Sequence, residues 1–196
     1  MVPFAIGAAA ALASPEEATL HDELARAEAT PQTMALADLL AAYYGHRRVE
    51  SAYRAARSSG VPRGIYDLSL SGPVMVVSAA RWGIEDPAFD ERVSEAIERS
   101  GHARGRALLV QAAGLRALAR GEQAKSEALL LDATQSFATL HLEHERALAM
   151  ADRGRALAGM GRGGEAVAEL DEARRIADRL GAVALRATLE AEPVRA

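Results

Sequence analysis

Two short stretches carry residue types whose spacing could do chemistry. GMGRGG, residues 159–164, sets Gly159, Gly161 and Gly164 as G-x-G-x-x-G. Behind a buried strand, that pattern lets backbone N–H groups at a helix start cradle a pyrophosphate. HLEHE, residues 141–145, sets His141 and His144 three apart, with Glu143 and Glu145 beside them. Histidines so spaced on one helix could share a metal ion. Each chemistry demands its own support: strand, turn and helix for the glycines, one unbroken helix for the histidines.

The flanking sequence argues against both supports. Before Gly159 runs ALAMADRGRALA, which is helical in period and composition. The glycines therefore read as a corner between two helices. Leu142 and Glu143 fall where a loop enters the next helix, and a junction there splays His141 from His144. His21, His46 and His102 lie near expected helix starts or surfaces and lack acid–nucleophile partners in the sequence. There is no G-x-S-x-G elbow. Trp82 reads as core or interblock packing. Glu16-Glu17 and Asp171-Glu172 read as first-turn or exposed-face carboxylates that favour the helix dipole and solubility.

The totals describe what must position such residues. The chain has 196 residues, 49% of them apolar but only 4% aromatic, so alanine and leucine carry the core. Both are strong helix formers with compact side chains, which suits closely packed helices. The net charge is −4 and acids interleave the arginines, so a duplex-binding surface is not expected. No cysteine is present, which excludes disulfides, thiolate metal sites and a cysteine nucleophile. The apolar start MVPFAIGAAAALAS lacks the preceding Lys or Arg of a secretory signal and is short of a bilayer span. It reads as a buried helix, and the chain as cytoplasmic.

Helix punctuation recurs along the sequence. Ser14-Pro15-Glu16-Glu17 opens a helix to about Ala29, Thr30-Pro31 opens one to Gly45, and another runs from His46 to about Ser59. Residues 60–73 hold glycines and prolines without helical periodicity and read as an irregular connection. Val74 to Trp82 is apolar enough for strand or helix; without a partner strand, helix is the reading. Asp86-Pro87 opens a helix that Ser100-Gly101 closes. Further helices are expected at about 102–119, 122–141, 143–160, 163–180 and from 182.

The second half repeats itself at an offset of forty residues. Arg106, Ala107 and Leu108 match Arg146, Ala147 and Leu148; Gly114 matches Gly154, Gly121 matches Gly161, and Leu130 matches Leu170. Each unit reads as an antiparallel hairpin. Its mid-helix glycine admits a neighbouring helix, and its apolar face needs cover.

The series Gly154, Leu157, Gly161, Ala166, Leu170, Ala173 resembles the tetratricopeptide repeat. Gly114–Ala133 resembles it more loosely, with Ser126 at the small position. Leu39, Tyr43, Ala52 and Ala56 suggest a degenerate earlier copy, with Leu40 in the glycine's place. Asp178 stands where that family usually has proline, and the unit exceeds the usual length of about thirty-four residues. GRGGEAVAELDEA followed by Leu180-Gly181-Ala182 is similar to the helical-repeat region of LuxR-family ATP-dependent bacterial regulators and related multidomain ATPases or cyclases. That similarity covers roughly residues 100–190, and it implies a region that senses or relays without doing chemistry. No G-x-x-x-x-G-K-[ST] and no helix-turn-helix pattern accompanies it.

The expectation is one all-α helical-repeat domain over 1–196: stacked antiparallel hairpins in a tetratricopeptide-like right-handed solenoid. Residues 1–59 supply degenerate helices and 74–196 the better-formed repeats. The repeat register puts Leu108, Gln111, Leu115, Leu118 and Ala119 on an inward face, continued by Leu148, Ala151, Arg155, Ala158 and Gly159. Either these line a groove covered by a partner helix, another subunit or a terminal helix of this chain, or they are interhelix core. Among them, Leu108, Gln111, Leu115, Leu118, Leu148 and Arg155 are the candidate binding residues. The function expected is a non-enzymatic module of a bacterial signalling or transcriptional regulator. It would bind a protein, a peptide or a small effector, with no cofactor, metal, nucleic acid or membrane. The alternative is a structural scaffold whose homodimer buries the groove. A helical-bundle enzyme or metal protein using His141 and His144 ranks below both.

Overall fold

The computed structural model describes residues 50–58 and 65–191. The helices expected before residue 50 lie outside these residues, as do Leu39, Leu40 and Tyr43. Among the described residues the chain forms nine α-helices and no strand. They are α1 (Glu50–Ser58), α2 (Ile65–Leu70), α3 (Gly72–Trp82), α4 (Pro87–Ser100) and α5 (Ala103–Ala119), then α6 (Gln123–Thr139), α7 (Glu143–Gly159), α8 (Gly163–Leu180) and α9 (Val183–Ala191).

From α5 onward each helix packs against the next, in the order α5, α6, α7, α8, α9. Short corners make successive helices antiparallel. The mid-helix glycines Gly114 of α5 and Gly154 of α7 are there for contact. A methyl group on Gly114 would stand 2.7 Å from Leu130 Cγ, and one on Gly154 would stand 3.3 Å from the Ala166 carbonyl oxygen. A Cβ at Gly114 would force Leu130 to shift and one at Gly154 would press on the Ala166 carbonyl, and the close contact offsets glycine's helix cost of about 1 kcal/mol. Four apolar pairs matched by the forty-residue offset are buried alike: Ala107 with Ala147, Leu108 with Leu148, Leu130 with Leu170 and Ala133 with Ala173.

The corners follow half that period. Gly101, Gly121, His141, Gly161 and Gly181 all adopt positive φ, between 57° and 75°. At four of them the residue after the corner donates its N–H to a carbonyl five positions back. Glu122 donates to Ala117 and Leu142 to Phe137, each at 2.9 Å; Arg162 donates to Leu157 at 2.9 Å and Ala182 to Ala177 at 3.0 Å. This is the left-handed helix stop that glycine makes cheaply. His141 is the one residue with a side chain to take it among the described residues.

Residues 60–73 are not irregular throughout, which corrects the sequence reading. Residues Ile65–Leu70 form α2, and Gly72-Pro73 opens α3, with proline in the first turn where its missing N–H costs nothing. α3 is the helix that pattern alone left ambiguous. Gly72 through Ala80 are all buried, so no polar face exists to reveal a helical period. Gly83, in the left-handed conformation, ends it. α3 packs chiefly along α5, outside the order of the hairpins, while α4 packs on α2.

Polar contacts fix the remaining elements. Arg57 of α1 donates through Nε to Asp86 Oδ2 at 2.7 Å and lies 4.3 Å over the Phe89 ring. Asp86 caps α4 by accepting from Phe89 N–H at 3.3 Å. Arg116 of α5 pairs with Asp90 of α4 at 2.6 Å. His102 caps α5, its Nδ1 accepting from Gly105 N–H at 3.2 Å. Arg153 of α7 bridges Glu127 of α6, at 2.6 Å, and Glu169 of α8, tying three successive helices together.

Candidate functional site: a charged seam between α3, α5 and α7

Two helical stripes define the inner face. On α5 the stripe is Arg104, Leu108, Gln111, Leu115; on α7 it is Glu145, Leu148, Asp152, Arg155. Steps of three and four residues keep each stripe on one side of its helix. Polar pairs cross between the two stripes at an offset of forty-one. Arg104 donates to Glu145 Oε1 through Nε at 3.1 Å and Nη2 at 2.9 Å. Gln111 Nε2 donates to Asp152 Oδ2 at 3.0 Å.

Asp152 is the centre of the seam. It is fully buried, and an ionised carboxylate in that position requires charged or hydrogen-bonding partners. It has three, one from each of three elements. Arg81, at the C-terminal end of α3, donates to Oδ2 at 2.6 Å. Gln111 of α5 shares that oxygen, and Arg155 of α7 donates to Oδ1 at 2.9 Å. Such charge-assisted bonds are roughly twice as strong as neutral ones. Three arginines, Arg81, Arg104 and Arg155, thus face two carboxylates, Glu145 and Asp152.

Some buried polar side-chain atoms at these helices are left over. Gln111 Oε1 and Ser78 Oγ, the latter one turn before Arg81 on α3, have no hydrogen-bond partner among the described residues. Each unmet acceptor costs about 1–3 kcal/mol relative to a satisfied one. α3 therefore fits the seam by shape and charge while leaving part of its hydrogen-bonding capacity unused.

His144 lies beside the seam on α7. Burial pushes its imidazole below the ordinary histidine range; Glu145 opposes this, and Arg104 and Arg81 reinforce it. His141 is instead exposed at the corner before α7, in the left-handed conformation. The junction separates the two histidines, as the sequence implied. Among the described residues no group of three His, Cys, Asp or Glu could hold a metal ion.

The glycines of GMGRGG occupy the end of α7, the corner and the start of α8. A helix precedes them, so the strand required for a dinucleotide loop is not there. Arg162, beside them, is paired with Glu165 at 2.5 Å.

Of the candidate binding residues, Leu108, Gln111, Leu115 and Leu148 are buried, and Leu118 and Arg155 are half-buried. Ala151 is also buried, Ala158 is half-buried, and Ala119 and Gly159 are exposed. The inward stripe is thus largely covered, and the helix packed along α5 is the internal α3 rather than a terminal one. The repeat register found the stripe but missed its charges: Arg81, Arg104, Glu145 and Asp152. It named Ala151 where the buried acid is its neighbour. The available signal was the offset of forty-one that pairs Arg104 with Glu145 and Gln111 with Asp152. Arg81 lies outside the repeat and left no such signal.

Among the described residues no helix is long and apolar enough to cross a membrane. Compared with family models, with curated proteins and with solved structures, the chain matches none of them.

Proposed function

We propose that this chain is a non-enzymatic interaction module of a bacterial signalling or transcriptional regulator, with its hairpins stacked as a tetratricopeptide-like right-handed solenoid. The observation that carries the reading is the seam itself. Near-duplicate hairpins α5–α6 and α7–α8 present one continuous inner face, and a helix from outside the repeat packs there with an arginine in a buried acidic socket. Shape and charge there are suited to holding a helix. Small shifts between stacked hairpins would move Gln111 relative to Asp152 and relay occupancy to the outer surface.

The test replaces Arg155 by glutamate at the native locus, where one positive seam contact becomes a repulsion against Asp152. Photo-crosslinking from positions beside the seam, together with transcript profiling, gives the readout. A regulator module predicts a discrete crosslinked partner in the native strain, lost in the variant at equal protein level, with a defined transcript set changed. An unchanged transcript profile and an unchanged crosslink pattern would overturn the proposal.

A further inference from the structure

Two imidazoles lie at one end of the repeat. Successive helices are antiparallel there, so α5 and α7 both begin at that end, where Arg104 reaches across to Glu145. His102 is the residue that caps α5, and His144 is the second residue of α7. The two rings flank this cross-link, and the charge of Arg104 acts on both.

Neither position suits a cation. A helix N-terminus carries about half a positive charge, which a neutral ring tolerates and an imidazolium opposes. His102 is constrained further. Its Nδ1 accepts from Gly105 N–H at 3.2 Å, and a protonated ring has no acceptor left to cap the helix. The backbone makes room for that ring: a Cβ at residue 105 would stand 3.1 Å from the same Nδ1 and collide with Ile97 Cδ1 of α4, and glycine supplies none. His144 has both ring nitrogens shielded from water. A charge there would meet Glu145 on its own helix in its favour, and Arg104 of α5 and Arg81 of α3 against it.

Other charged groups at this end are engaged elsewhere or face water. Glu143 pairs with Arg146 at 3.2 Å and lies 3.9 Å from Arg179 of α8. Arg106 donates to the Gly101 carbonyl at 3.1 Å, Arg99 of α4 pairs with Glu95 at 3.1 Å, and Glu98 is exposed. Residues 136–140, which close α6 here, carry no titratable group before the exposed corner at His141.

Protonation is therefore linked to opening of these turns. Burial above all holds both rings below the ordinary histidine range while the turns are closed. An opened turn restores the ordinary value of about 6.5, so the open form gains protons first as pH falls. Between pH 7.5 and 5.5 this favours opening by up to about tenfold for each ring, and by up to about a hundredfold where both turns open together. An imidazolium at His144 also competes with Arg104 for Glu145.

We propose that His102 and His144 form an acid-sensitive latch: when both rings take up protons, the first turns of α5 and α7 part at the Arg104–Glu145 cross-link while the rest of both hairpins stays packed. The latch belongs to the fold and does not depend on the interaction-module reading.

Amide exchange of the full-length chain at pH 7.5 and 5.5, expressed as protection factors, locates the opening. The reporting amides are those of the first turns, among them Arg106, bonded to the His102 carbonyl at 3.1 Å, and Arg146, bonded to the Leu142 carbonyl at 2.9 Å. Their protection should fall at least threefold more than that of amides in the middle of α6 and α8. In the double variant His102→Asn, His144→Gln, asparagine keeps a capping acceptor and neither side chain titrates, so the differential fall should be under twofold. A differential fall under threefold in the native chain, or of twofold or more in the variant, overturns the proposal. If the variant does not fold, side-chain NMR of the native chain decides: both imidazoles titrating with the opening support the latch, and either one titrating apart from it overturns it.

Discussion

Replacing Asp152 by alanine removes the acceptor on which α3, α5 and α7 converge, and the structure sets the size of the loss. Breaking one side of a buried ion pair costs about 3–5 kcal/mol, because the remaining charge is left uncompensated. Here the stranded cations are not fully buried: the side chains of Arg81 and Arg155 are 21% and 37% exposed. Water recovers part of their solvation, which places the ionic loss near the lower limit, about 3 kcal/mol. The Gln111 amide loses its acceptor too, worth about 1 kcal/mol. The expected total is about 3–4 kcal/mol, or a fall in Tm of about 6–16 °C for a domain of this size. Urea unfolding followed by far-UV circular dichroism measures the loss, with an unchanged slope as the check that the denatured state is unaltered. The paired substitution Arg81→Met with Asp152→Leu should recover at least half of it, since no charge is then stranded. A loss under about 1 kcal/mol for Asp152→Ala would refute the reasoning, because the carboxylate would have to be solvated in the folded protein.

The corners give opposite expectations for two neighbouring turns. Gly161→Ala forces a side chain into the left-handed region and should cost about 1 kcal/mol in urea unfolding, whereas His141→Gly relieves that strain and should leave stability unchanged or raise it by up to about 1 kcal/mol; a loss above 1 kcal/mol for His141→Gly would count against the corner geometry. Gly154→Ala places a methyl against the Ala166 carbonyl oxygen, and overpacking of about 1–3 kcal/mol should outweigh the gain in helix propensity, a sign that the same denaturation reads directly. Burial lowers the imidazole pKa of His144, and burial followed by Arg104 lowers that of His102. The unfolded chain then takes up protons first, so stability is fully present above the unfolded histidine value of about 6.5 and is lost as pH falls through the folded values. Urea midpoints at about pH 7.5 and 5.5 should differ in the native protein and differ less in the double variant His102→Gln, His144→Gln; equal slopes in both would exclude these groups.

Much of the helical layout was legible because local signals repeat. Gly121, Gly161 and Gly181 stop helices by the same left-handed turn, and the forty-residue matches that spaced Leu108 with Leu148 and Leu130 with Leu170 are matches of burial. Gly114 and Gly154 announced close helix contact because glycine inside a helix is otherwise unfavourable. Less was legible at α3. A helix buried on every side has no polar face, so VMVV carried no period to distinguish helix from strand.

The charges of the seam were the least visible part. Asp152 sits among alanines and arginines on α7, and its sequence neighbours do not distinguish a solvated acid from a buried one. Its burial depends on Arg81 arriving from 71 positions away and on Gln111 from 41 positions away. By itself, the sequence determined where most helices start and stop, that two hairpins are near copies and that they share an inner stripe, since these follow from contacts within about twenty to forty residues. Only the tertiary structure decided what lies on that stripe and which carboxylate stays charged inside it. Those outcomes depend on distant groups sharing one water-poor space, where a charge persists only in the company of its partners.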